Sequence, residues 1–308
     1  MQPSSADAAF TVCTFLQGYN AIWAKHFPNC VRRAHWQIAQ FVRMREDELL
    51  FSEVRTKIGH IFGMDASICA QRTMDLISSG LVRASEPSLH AQTYLTATPL
   101  LVDSFDHHTV EASELLHVQA KLLDSRLPRM SSMTPSRALN KRFIRFFEDF
   151  LKDWNEHRTS FLKKSAEKNE RLRNPVVRVK ANNALKTQPY WYIFIIAWLW
   201  RHPDGQAPRS YVLVEDFLDP IHKLLQYNGT TTRGYVQDMI DWGFLERQYR
   251  ADGVPRNKFA VRMTSDAFED FGRAFAQAGP LLVGAARDIS RLSHGPDSGE
   301  LVPLRVVS

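Results

Sequence analysis

Lysine and arginine set against few acids are the side chains that neutralise phosphate. Residues 247–262 carry Arg247, Arg250, Arg256, Lys258 and Arg262 against one acid, Asp252, with Asn257 between two of the cations. Just upstream, Thr230, Thr231, Thr232, Arg233 and Gln237 offer hydroxyl, guanidinium and amide groups, the types that bond phosphates and base edges of duplex DNA. A second, weaker set lies earlier in the chain. Ser67, Gln71 and Arg72 are offset there by Asp75, and Arg83 follows against Glu86. A cationic surface can also be a merely solvated face, so the elements that carry these residues decide the reading.

In the segment 230–264 (TTTRGYVQDMIDWGFLERQYRADGVPRNKFAVRMT), Val236, Met239 and Ile240 recur at the spacing of a half-buried helix. Polar groups around Asn228-Gly229 and the threonines can cap its start. Gly243 stops it, and Phe244-Leu245 return to the core. Two alternating runs, FLERQYR and KFAVRMT, flank residues 251–257 and predict a hairpin. Helix, glycine stop and basic hairpin read as the recognition helix and wing of a winged helix-turn-helix. The layout occurs twice. Aligned on glycine, Gly80 matches Gly243, Leu76-Ile77 match Met239-Ile240, and Leu81-Val82 match Phe244-Leu245. Leu95-Thr96 stand where Met263-Thr264 stand. A spacing this long marks a duplicated domain, since solenoid periods run roughly 20–50 residues.

The predicted elements follow in order. Helices cover 8–27 and 32–45, the latter burying Trp36, Ile38, Ala39 and Val42. A short helix from Ser52 and a turn at 63–65 lead to the first recognition helix, 66–79, with Ile68, Thr73, Leu76 and Ile77 inward. The first wing spans 83–96. A helix from Thr98-Pro99 to about 126 carries a stripe of Leu101, Phe105, Leu115, Leu116, Val118, Leu122 and Leu123. Residues 128–135 read as a linker. A long amphipathic helix covers 136–172, aligning Phe143, Phe147, Phe150, Trp154 and Phe161, and its polar end is expected to leave the core. Helices at 188–201 and 215–227 precede the second reading helix. Ser265 caps a last one, with a further segment to 292. The predicted units are 1–130, 131–293 and a flexible tail, 294–308. The fold class is mainly α with small β-wings, two modules forming a fused pseudo-dimer.

Charge is uneven along the chain. Residues 134–186 hold fourteen Lys and Arg against six acids, a net of +8, while the flanking thirds are near neutral. Cys13, Cys30 and Cys69 are too few and too scattered for a disulfide framework or zinc ribbon. No basic, apolar leader opens the chain, and the most apolar run, 190–200, is far short of the roughly 20 residues a membrane span needs. A cytoplasmic protein at the nucleoid, with no membrane partner, is expected.

The motifs Gly80-Leu81-Val82 with Leu95-Thr96, and Gly243-Phe244-Leu245 with Met263-Thr264, resemble the MarR family of bacterial transcription regulators. The resemblance implies a winged-helix DNA-binding fold paired through flanking helices, as family homodimers are. Two unlike modules in one chain depart from that pattern and argue against a symmetric operator. Cys13 lies near where peroxide-sensing members keep a reactive cysteine, but no neighbour that would lower its pKa is evident, so a structural thiol is expected. His107, His108, Glu111 and His117 lack metal-ligand motifs and read as a solvated helix face. The run Tyr190–Trp200 reads as core.

No phosphate-cradling glycine loop, nucleophile elbow or paired-carboxylate motif is present, so no catalysis, metal or cofactor is expected. The residues point to a sequence-specific regulator of transcription on double-stranded DNA. The two reading helices would meet bases, and Arg250, Arg256, Lys258 and part of 134–186 would meet phosphates. A plasmid- or phage-type replication initiator and a winged-helix interaction scaffold stay open. So do self-association or a partner regulator, and a small-molecule effector.

Overall fold

The computed structural model describes residues 5–45, 47–62, 65–130, 132–185, 187–201, 211–248 and 258–292. It is mainly helical, 74% helix, with two small three-stranded antiparallel sheets. The predicted tail 294–308, the loop 202–208, the turn residues 63–64 and the hairpin tip 251–257 lie outside the described residues.

The chain runs through one set of elements twice. The first set is α1 (Ser5–His26), α2 (Arg33–Met44), β1 (Leu49–Leu50), α3 (Phe51–Phe62), α4 (Ala66–Ser78), β2 (Val82–Ala84), β3 (Tyr94–Ala97) and α5 (Pro99–Leu123). The second opens with α6 (Arg137–Lys168), α7 (Glu170–Arg173) and α8 (Pro175–Ala184). It continues with α9 (Gln188–Arg201), β4 (Val212–Leu213), α10 (Val214–Leu225), α11 (Gly229–Asp241), β5 (Leu245–Gln248), β6 (Ala260–Met263) and α12 (Ser265–Leu292). Strand orders are β1-β3-β2 and β4-β6-β5, with corresponding registers. The two-residue strands β1 and β4 were not legible as strands, being shorter than any alternation can show.

Gly80 and Gly243 have φ of +71° and +76°, a backbone region that side chains with a Cβ rarely enter. Each ends its helix and turns the chain into the hairpin. The registers correct the sequence alignment of the hairpins. Val82 pairs with Ala97 where Leu245 pairs with Met263, so Ala97-Thr98, not Leu95-Thr96, is the counterpart of Met263-Thr264. Thr98 Oγ1 donates to the carbonyls of Gly80 and Leu81, and Thr264 Oγ1 to those of Gly243 and Phe244. A slip of two residues leaves every strand side chain on its original face, so hydrophobic pattern alone cannot detect it. Thr264, rather than Ser265, accepts from the first turn of α12 through Ala267 N.

The halves meet through α1, α5, α6 and α12, among which α1 and α12 form the most extensive pairing. Phe15 and Tyr19 of α1 lie against Phe147 of α6, at 6.2 and 4.4 Å between ring centroids. Trp154 packs on Phe271 and Phe275 of α12. Buried residues from both halves form one continuous apolar core. Asp106 of α5 ties Arg43 of α2 (2.9 Å) to Asn140 of α6 (2.7 Å).

Several expectations change. Val118 and Leu122 are exposed, and the inward positions of α5 hold His108, Thr109, Ser113 and His117 instead. The two histidines are therefore not on a solvated face. Polar residues at inward spacing look like surface when only the apolar ones are counted. The helix predicted over 136–172 ends at Lys168, where Asn169 turns extended. Its polar end does not leave the core, since Leu162, Ala166 and Leu172 are buried. The segment after Ser265 is one helix that runs through Pro280 rather than two pieces.

His108 is fully buried among Tyr19, Trp23, Phe27, Phe105 and Phe143, and neither ring nitrogen has a hydrogen-bond partner. Burial, and secondarily the neighbouring His26, push its pKa down to about 3. The fold therefore keeps it neutral, whereas in the unfolded chain it takes a proton near its ordinary value of about 6.5. The stability present above that value is lost as pH falls toward the folded value, at up to about 1.4 kcal/mol per pH unit. His108→Leu is expected to raise stability at neutral pH by about 1–2 kcal/mol, because it removes two buried unpaired nitrogens. It should also flatten the acid dependence by up to one proton. Urea denaturation of both proteins at neutral pH and at pH near 5 checks this, and an equally steep acid loss in the variant would refute it.

Candidate nucleic-acid interface

The two helices expected to read DNA share one buried register. Cys69, Thr73 and Leu76 of α4 and Thr232, Val236 and Met239 of α11 are buried, each set at i, i+4 and i+7. Two expectations fail against this register. Thr232 is wholly buried and its Oγ1 donates to Asn228 O, so it packs α11 onto the core and presents nothing to a ligand. Ile68, expected inward, is 47% exposed, because Cys69 takes the inward place one residue on, about 100° round the helix.

Opposite the buried stripe of α11 lie Thr230, Gly234, Gln237 and Asp241, with Arg233 exposed at the flank. Asn228 caps the helix by accepting from Thr231 N at 2.8 Å. Thr231 itself is half-buried. On α4 the outward stripe is Ser67, Gln71, Met74 and Ser78. Ser67 donates both its N–H and its hydroxyl to the capping Asp65.

One carboxylate fixes how each helix faces. Asp75 accepts from His35 Nε2 on α2 at 2.9 Å, while His35 Nδ1 accepts from Arg32 N. In the same place on α11, Asp238 accepts from the Tyr190 hydroxyl of α9 at 2.6 Å. Burial keeps His35 below its ordinary pKa despite the acid beside it, so the pair is a neutral donor on a carboxylate. Burial works against the charge of Asp75, yet hydrogen bonds from His35, Arg72 and Gln71 outweigh it and hold its pKa below the usual range. Burial and the bond to Asp238 push the Tyr190 phenol far up.

These bonds set the electrostatics of the two faces. On α4, two of the three candidate DNA-binding side chains are committed within the helix, since Gln71 donates to Asp75 at 3.0 Å and Arg72 at 2.7 Å, and the third, Ser67, is held by the capping Asp65. Arg83 is exposed on β2. On α11, Gln237 is half-buried and bridges Asp241 (2.8 Å) and Arg247 of β5 (2.6 Å), tying helix to hairpin. Arg262 pairs with Glu246 at 2.6 Å, and Lys258 is exposed. Arg250, Arg256 and Asn257 lie outside the described residues.

Sequence reasoning missed α7 and α8, which stand between α6 and α9 and lie against α11 through Arg171 and Lys180. Their signals were short-range ones: Asn169 caps α7, and Asn174 caps α8 with Pro175 in its first turn.

Among the described residues no helix is long and apolar enough to cross a membrane, and no three His, Cys, Asp or Glu side chains gather to hold a metal. Glu111 instead pairs with Lys25 and His26 of α1, each at 2.8 Å. The run Tyr190–Trp200 supplies core residues from Tyr190 to Trp198. No protein-family model, curated protein or solved structure matches the chain.

Cys13, Cys30 and Cys69 are buried, and burial pushes all three thiols up, Cys13 the furthest from reactivity. None should react with iodoacetamide in the native state within minutes, and all three should react in denaturant. Mass spectrometry would count the adducts, and fast native labelling of Cys13 would overturn its structural assignment. Asp75→Ala strands the buried His35 donor and should cost about 1–3 kcal/mol in urea unfolding. A neutral result would show that α4 is held by its apolar stripe alone.

Proposed function

We propose that the chain is a DNA-binding transcription regulator in which two winged helix-turn-helix modules are fused as a pseudo-dimer. The observation that carries this reading is the repeated geometry. Two helices with one buried register each end at a left-handed glycine, lead into an antiparallel hairpin and turn an outward polar stripe to solvent. A helix beside a hairpin is the shape that places side chains in a major groove while the hairpin meets the flanking backbone. The flanking helices α1, α5, α6 and α12, which pack together in one core, support the pseudo-dimer.

The second module carries most of the attraction for phosphate. Arg233 and Lys258 are exposed, and Arg250 and Arg256 belong to the same hairpin sequence. The first module is close to neutral: its Arg72 and Gln71 are held by Asp75. Its exposed Ile68 favours a second reading for that module alone, contact with a partner protein. Unlike reading heads suit a non-palindromic site.

Titration of one random-sequence duplex over a range of salt tests the proposal. Arg233→Ala with Lys258→Ala should weaken binding and lower the log–log salt slope by about 0.9 for each phosphate that is no longer neutralised. Gln71→Ala with Arg72→Ala should cost less. Equal reductions in affinity, or a perfect inverted repeat as the mapped site, would defeat the asymmetry. No binding by the unaltered protein would defeat the function. Genome-wide mapping separates regulation, with promoter-proximal elements, from a replication initiator, with a tandem array at an origin.

A further inference from the structure

The two halves differ most where the helix of the dimer body hands over to the first helix of the module. In the first half, residues 27–32 connect α1 to α2; in the second, α7 (Glu170–Arg173) and α8 (Pro175–Ala184) stand between α6 and α9. This insertion is firmly seated. Leu172, Ala181 and Leu185 are buried, and the buried Arg158 of α6 donates to Asn182 of α8 at 2.8 Å. Asn169 abuts Gly243, where a Cβ would stand 2.7 Å from its Nδ2, and donates to Asp241 O.

The insertion answers a charge problem on α11, which carries Arg233 against Asp238 and Asp241. In the first half, Asp75 receives a cation from its own helix, Arg72. The corresponding position in the second half is Tyr235, so α11 has no such cation for Asp238. The insertion supplies it: Lys180 Nζ lies 3.6 Å from Asp238, and Arg171 Nη1 lies 2.8 Å from Asp241. Both cations are mostly exposed, at 67% and 64% of their side chains, and so remain open to solvent. Residues 169–187 hold Arg171, Arg173, Arg178, Lys180 and Lys186 against Glu170 alone.

Position on the helix gives the direction. Gln237, bound to Arg247 of the hairpin, forms one edge of the outward stripe. Asp238, bound to Lys180, lies beyond its other edge, about 100° round the helix, while Asp241, bound to Arg171, closes the stripe at its C-terminal end. The stripe is thus bordered by the hairpin on one side and by the insertion on the other. On the reading that this face binds DNA, we infer that α7–α8 is a second, helical wing, a cationic wall whose Arg171 and Lys180 contact phosphates of the same duplex. Cations paired to half-exposed carboxylates exchange one anionic partner for another when a phosphate strand arrives, at little cost in exposed surroundings. The second module then covers a longer stretch of DNA than the first, which has no such wall.

The test is salt titration of a random-sequence duplex with the full-length Arg171→Gln/Lys180→Gln variant and the same variant carrying Asp241→Asn. Arg171 and Lys180 are exposed and Asp241 is half-buried, and circular dichroism confirms the fold of each variant. Arg126→Gln/Arg129→Gln, exposed cations outside 134–186 and outside both hairpins, controls for the reduced net charge. The inference expects the slope to fall by about 1.8, equivalent to two phosphates, with no recovery on adding Asp241→Asn and a smaller fall in the control. Full recovery with Asp241→Asn would mean that the insertion only masks a carboxylate, and would overturn it. An unchanged slope would overturn it too and assign the wall to another partner, such as an acidic protein. If those variants bind as the unaltered protein does while Arg233→Ala/Lys258→Ala fails, the DNA reading survives without the wall. If the unaltered protein does not bind, the reading itself falls.

Discussion

Asp75 and Asp238 each tie an outward helix to the helix behind it, and the direction in which every exposed residue of that helix faces follows from the bond. An apolar stripe alone tolerates rotation, because Cys69 and Ile68, or Met239 and Ile240, are neighbours of similar chemistry. A hydrogen bond does not. His35 is almost fully buried, and its Nε2 donates to Asp75, so turning α4 would break that bond in a buried place. Tyr190 does the same for α11 with a different side chain, so the geometry rather than the residue type of the donor recurs between the halves.

Behind these helices the structure spends polar groups freely. His108, Ser113 and Asn140 are buried in the body joining the halves, and His117 shares a hydrogen bond with Ser290 across α5 and α12. Such groups lower stability where unpaired, yet those that are paired allow few alternatives. Asp106 has to meet both Arg43 and Asn140, which fixes α2, α5 and α6 together and carries the orientation of α4, set through α2, back into the body.

How far the sequence could be read depended on the range of each signal. The glycine stops were legible because Gly80 and Gly243 each precede a pair of apolar residues, a combination with one local solution. The aromatic stripe from Phe143 to Trp154 was legible by its size alone. Thr232 was not told apart from Thr230 and Thr231 by residue type, although its spacing to Val236 and Met239 marks it as inward. The hairpin slip was invisible because a shift of two preserves face. The insertion was invisible for a different reason. Its salt bridges to α11 join residues far apart in the chain, and its apolar residues mark no single face, since Val176 and Val179 are exposed while Leu172, Ala181 and Leu185 are buried.

The pairing of α1 with α12 has a consequence for the protein at low abundance. Dimers of separate chains come apart on dilution, so their occupancy of a site falls faster than their concentration. Here α1 and α12 belong to one polypeptide, so their pairing is intramolecular and its extent does not change with the number of molecules present. A handful of molecules keeps the arrangement of its two halves, which a cell need not maintain by making more of them.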